Sequence, residues 1–86
     1  MKYRIEFTSG AACRIKKLLV PVRFKVLNTV APLATDPWPR GARKLTGEDS
    51  AWRIRVGDYR VIYEINDSVL LVTVVRAGHR REVYER

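Results

Sequence analysis

The stretch Trp52-Arg53-Ile54-Arg55-Val56-Gly57-Asp58-Tyr59-Arg60-Val61-Ile62-Tyr63 places three arginines around a Gly-Asp pair, two before it and one after. Arginine carries a permanent charge and a rigid fork of N–H donors that matches phosphate through two parallel bonds. Gly57-Asp58 lies between two runs that alternate apolar and polar residues. A glycine first in such a two-residue connection predicts a hairpin with a type II′ turn. That turn sets Val56 opposite Tyr59, Arg55 opposite Arg60, Ile54 opposite Val61 and Trp52 opposite Tyr63. One face then holds Trp52, Ile54, Val56, Tyr59, Val61 and Tyr63, and the other Arg53, Arg55 and Arg60. Like charges directly opposite each other on a sheet cost about 0.2–1 kcal/mol. Paired in register, the arginines point to an anion site; the alternative is a solvated face with Asp58 and Glu64 as partial partners.

A second basic group follows in Arg76-Ala77-Gly78-His79-Arg80-Arg81-Glu82-Val83-Tyr84. A tight turn at Gly78 is expected to bring His79, Arg80 and Arg81 towards the arginine face, with the Tyr84 phenol beside them. Arg76 joins that face under only one of two registers at Asn66-Asp67-Ser68. Arg43 and Lys44 flank a linker and are either backbone contacts or part of a solvated loop.

Other chemistry is scarce. The chain has no Walker loop and no dinucleotide fingerprint, and no nucleophile motif supports a Ser/His/Asp triad. Cys13 is the only cysteine and His79 the only histidine. A disulfide framework and a Cys/His zinc site within one chain are therefore excluded. Cys13 is expected at a core boundary, and Trp38, between two prolines, as a packing anchor.

The elements that must position these residues are legible in outline. Tyr3, Ile5 and Phe7 alternate with polar residues and predict a strand. Ser9 is the expected N-cap of a short helix through Leu19, with Ala11, Ile15, Leu18 and Leu19 on its apolar face. Pro21 suits the first turn of a second helix, whose stripe is Val22, Val26, Leu27, Val30 and Ala34. Pro32 should kink that helix or end it near Val30. Residues 36–41 read as a linker. Val69–Val75, a continuous apolar run, predicts a central strand buried on both faces, and Glu82-Val83-Tyr84 a last short strand. The expectation is a single α+β domain over residues 1–86: an N-terminal strand, a helical hairpin, then an antiparallel sheet of three to four strands.

Composition agrees with a small globular domain. The 86 residues are 47% hydrophobic and 30% charged, with 17 Lys+Arg against 9 Asp+Glu, a net charge of +8. Twelve of the cations are arginine. Such a domain most often meets nucleic acid or an acidic protein partner; the alternative is a soluble surface that happens to be basic. The longest uncharged run, Val26 to Thr35, is too short to span a bilayer. The charged N-terminus lacks a secretion-signal core, so the expected compartment is the cytoplasm.

Taken in order, Lys44-Leu45-Thr46-Gly47-Glu48, the Trp52–Glu64 hairpin and Gly78-His79-Arg80-Arg81-Glu82-Val83-Tyr84 resemble the RelE branch of the RelE/ParE toxin superfamily. The resemblance covers nearly the whole chain. It implies the toxin of a type II toxin–antitoxin pair: a cytoplasmic endoribonuclease that cleaves mRNA in the A site of the 70S ribosome and halts translation. It also implies no metal, no other cofactor, and a cognate antitoxin that blocks the cleft. Carried over by position, the catalytic set is Arg55, Arg60, Arg80 and Tyr84. Lys44, Arg53, His79 and Arg81 are the implied RNA contacts. In the best-known relatives the strand pair matching Arg53 and Arg55 is lysine. Two alternatives accompany this expectation: a ParE-like, non-catalytic toxin acting on DNA gyrase, and a decayed RNA- or antitoxin-binding module.

Overall fold

A computed structural model describes residues 2–45 and 51–79 of the chain. In chain order the elements are strand β1 (Arg4–Phe7), helices α1 (Ser9–Lys16) and α2 (Val20–Val30), a 3-10 turn (Ala31–Ala34), and strands β2 (Arg43–Lys44), β3 (Ala51–Val56), β4 (Tyr59–Asn66) and β5 (Leu71–His79). The strands form one five-stranded sheet in the order β1-β5-β4-β3-β2. Both helices belong to a core built on one side of it, with Ala11, Ile15, Val26 and Val30 packed on Val61, Tyr63, Val72 and Val74.

The α+β arrangement is the expected one: β2 to β5 make an antiparallel sheet of four strands, and the N-terminal strand joins its edge. β1 pairs parallel with β5, Ile5 beside Val72 and Phe7 beside Val74, which makes the sheet mixed. Two-residue β2 adds the far edge, with Arg43 opposite Arg53 and Lys44 opposite Trp52. Neither pairing has a local sequence signal: one joins residues more than sixty positions apart, and the other strand is too short to show alternation.

Local chemistry explains where the helices begin and end. Thr8, not Ser9, caps α1; its extended backbone turns its hydroxyl to accept the Ala11 N–H at 3.2 Å. Pro21 sits in the first turn of α2, where a missing N–H leaves no bond unmade. The α-helix stops at Val30, and Pro32 falls in the first turn of the 3-10 segment that follows. That change of pitch brings Leu33 into the core with no exposed surface; Leu27, expected on the apolar stripe, is exposed.

Tyr63 is the largest fully buried side chain. Its hydroxyl donates to the Pro37 carbonyl at 2.8 Å, tying the 36–41 linker to the centre of the sheet. Burial, and secondarily the Asp36 carboxylate, push this phenol's pKa up to about 12. Trp38 packs edge-on against Tyr3 with ring centroids 6.2 Å apart and stays 45% exposed, so the buried anchor of the linker is Pro37. Cys13 is exposed, outside the core boundary expected for it.

β5 also departs from the expected strand. It starts at Leu71, after Leu70 at φ 52°, and Val69 is exposed. Its burial alternates on one face through Val72 and Val74 and is only partial at Leu71, Thr73 and Val75. The hydrophobic run therefore covers one face fully; among the described residues no helix lies on the other face. Among the described residues no helix is long and apolar enough to cross a membrane.

Candidate functional site

The hairpin has the register that its turn chemistry predicts. Val56 is opposite Tyr59, Arg55 opposite Arg60, Ile54 opposite Val61 and Trp52 opposite Tyr63. Gly57 has φ +62° while Asp58 does not share a positive φ, as a type II′ connection requires. Residues flanking a two-residue turn exchange backbone bonds, so Arg55 and Arg60 form the next, closer pair, with Cβ atoms about 4.5–5.5 Å apart. Their stems leave the sheet side by side, away from the helices.

These two arginines line an open cleft of about 380 Å³ together with Gly41, Arg43, Arg53 and Ile54. The cleft lies where β2 and β3 meet the hairpin. One strand supplies Arg53 and Arg55, two residues apart and so on one face; β4 supplies Arg60 and the edge strand supplies Arg43. Four guanidinium groups around a single cleft give a positive field and many forked donors, suited to holding a phosphate and stabilising extra negative charge on it. Arg55 is exposed, while Arg53 and Arg60 are half-buried along their stems.

Two of the expected RNA contacts sit elsewhere. Lys44 pairs with Trp52 and by register shares the helix-covered side; Arg43, one residue earlier, takes the place beside Arg53. A β2–β3 pairing, invisible in so short a strand, decides between them. His79 also lies away from the arginines. It is opposite Tyr59, with ring centroids 5.5 Å apart and planes at 76°. Gly78 makes no turn here: it continues β5 opposite Arg60, so His79 stays in the strand and follows Tyr59 onto the other side. Arg80, Arg81 and Tyr84, and the short strand expected at 82–84, lie outside the described residues.

The register also settles Arg76. Ile62 pairs with Arg76 and Tyr63 with Val74, leaving Val75 as an extra residue in a β-bulge. Arg76 thus shares the face of Ile62, Arg53 and Arg60 and is exposed.

A domain with this sheet, this pair of helices on one side and an arginine cleft on the other defines a class: small toxins of type II toxin–antitoxin systems. The family described as "ParE toxin of type II toxin-antitoxin system, parDE" matches residues 5–84 of this chain. Toxin RelG of Mycobacterium tuberculosis is 32% identical over 90 residues, spanning the whole of both chains. The chain therefore belongs to the RelE/ParE superfamily of type II toxins, on its RelE branch. Solved structures agree. The toxin–antitoxin complex RelBE2 of Mycobacterium tuberculosis contains a chain 28% identical to this one, with a TM-score of 0.81 over 93% of this chain and 100% of that one. The archaeal RelE–RelB complex from Pyrococcus horikoshii contains one 27% identical, with a TM-score of 0.82 over 93% and 97%.

Proposed function

We propose that this toxin is an endoribonuclease that cleaves mRNA in the ribosomal A site and that a cognate antitoxin holds it inactive. The observation that carries the reading is the in-register Arg55–Arg60 pair lining the cleft with Arg43 and Arg53, on the sheet face opposite α1 and α2. A sheet selected for stability alone would not set two arginines directly opposite each other.

The reaction is attack of a ribose 2′-oxygen on the adjacent phosphorus. A new 2′-O–P bond forms, the P–O5′ bond breaks, and the products are a 2′,3′-cyclic phosphate and a 5′-hydroxyl. Three tasks must be filled: removal of the 2′-OH proton, stabilisation of the phosphorane, and protonation of the leaving oxygen. Arg55 and Arg60 suit the second, because fixed guanidinium donors gain most where charge develops. Arginine, with a pKa above about 12, is a poor proton carrier. The resemblance assigns Arg80 to the neighbourhood of the leaving oxygen and Tyr84 to the 2′-OH, which it orients or deprotonates, or to stacking on a base. With such weak acid–base equipment the enzyme is slow on free RNA, and the ribosome supplies the substrate geometry.

The antitoxin follows from relatives whose structures are complexes with RelB and from the charge of +8. An acidic segment laid over the arginine cleft would neutralise it. The deciding experiment incubates the toxin with ribosomes programmed with mRNA and maps ends by primer extension. New ends within A-site codons support the reading. Uncleaved message together with inhibited gyrase supercoiling would move the chain to the gyrase-directed function of the ParE branch.

A further inference from the structure

Read across the sheet, the arginine face has two rungs. On one, Arg43 is opposite Arg53, Arg53 opposite Ile62 and Ile62 opposite Arg76. On the next, Arg55 is opposite Arg60 and Arg60 opposite Gly78. Arg43, Arg53, Arg55 and Arg60 line the cleft. Arg76 stands outside it, on β5. It is diagonal to Arg60 at about 7–8 Å between backbones, and two strand spacings, about 10 Å, from Arg53.

Arg76 reaches this face only through the bulge. Strict alternation from Val72 and Val74 would turn it towards the helices, where an unpaired guanidinium taken out of water is strongly disfavoured. The extra residue at Val75 flips it outward and brings Ala77, 3% exposed, into the core instead. Thr8 holds the bulge in place: its N–H donates to the Val74 carbonyl at 3.0 Å and its hydroxyl to the Val75 carbonyl at 3.4 Å. Two acids share this face beyond the bulge, Glu64 and Glu6, both beside Thr73; Glu6 pairs with Arg4, and neither forms an ion pair with Arg76 among the described residues.

We propose that Arg76 is a second backbone contact for single-stranded RNA, binding a phosphate next to the one held by Arg55 and Arg60. The inference rests on the ribonuclease reading and extends it: the substrate runs from the cleft past Arg60 towards β5, where Arg76 is exposed. A cation one diagonal step from Arg60, on the same open face, can meet the next phosphate of an extended strand without any movement of the sheet.

The test is the salt dependence of binding to a short single-stranded RNA with 2′-O-methyl riboses, which removes the nucleophile and hence cleavage. Each phosphate contact contributes about 0.7 to the slope of log K against log salt on a single strand. Arg76→Ala should lower the magnitude of the slope by about 0.7 and weaken binding about tenfold at low salt. Arg76→Lys should keep the slope, since the charge remains. Arg4→Ala removes a cation from β1, where it is paired with Glu6 at 3.0 Å, and should leave the slope unchanged. An unchanged slope for Arg76→Ala, with a reduced one for Arg55→Ala, overturns the assignment of Arg76 and leaves the cleft standing. Unchanged slopes for both variants overturn the assignment and the RNA-cleft reading together.

Discussion

Arg60 and Val61 are neighbours in β4, and they end in opposite environments. Val61 has no exposed surface and packs among the helices; Arg60 lines an open cleft with other cations around it. The same contrast runs along the hairpin, residue by alternate residue. On the helix side Tyr63, Val72 and Val74 are fully buried, and the Tyr63 hydroxyl taken into that core has its hydrogen bond. On the other side like charges stand opposite each other. The difference teaches that this small fold divides its labour by face. One side supplies apolar burial, worth about 25 cal/mol per Å²; the other gives up some stability to hold a positive field where an anion can reach it.

Exchanging the rules of the two faces should break the comparison most severely. Val61→Arg places a cation in the core with no partner, and we expect no cooperative thermal transition by circular dichroism. Next in size, Arg60→Ala should leave the melting transition nearly in place. It should cut ribosome-dependent cleavage on the order of a hundred- to a thousand-fold, about 2.7–4 kcal/mol, read by primer extension. Full cleavage by folded Arg60→Ala protein would remove the arginine clamp from the mechanism.

Tyr63→Phe probes the helix side more gently. It leaves the Pro37 carbonyl without its donor and should cost about 1–3 kcal/mol near neutrality by urea denaturation. The pH dependence has a definite sign. In the unfolded chain the phenol ionises near its ordinary value of 10.0, whereas the folded chain keeps it neutral to about 12. Its contribution is therefore whole below pH 10 and is lost as pH rises through about 12. Tyr63→Phe should flatten that alkaline fall in stability, and a fall as steep as in the wild type would assign it to another group. The smallest effect has the opposite direction: Arg55→Thr removes a like-charge pair and should raise stability by about 0.2–1 kcal/mol while lowering activity. A loss of stability would mean that the Arg55 stem, not its charge, matters to the fold.

How much of this was legible in the chain depends on the range of the interaction concerned. Gly57 supplies a left-handed backbone, alternation on both sides supplies the faces, and together they determined the Arg55–Arg60 pairing from a dozen consecutive residues. Pro32 likewise marked a kink or an end near Val30, because a proline cannot continue the hydrogen-bond ladder, and the helix ends there. The helix start was missed by one residue because Thr8 and Ser9 are equally good caps, and only Thr8 is also bonded to β5. Tertiary structure alone decided the parallel pairing of β1 with β5, the edge strand that selects Arg43 over Lys44, and the bulge that sends Arg76 outward and His79 to the side of Tyr59. Each of these turns on a one-residue shift between strands. In a sheet whose core lies on its helix side, such a shift exchanges core for the opposite face, and which choice is cheaper depends on helices and strands far away in sequence.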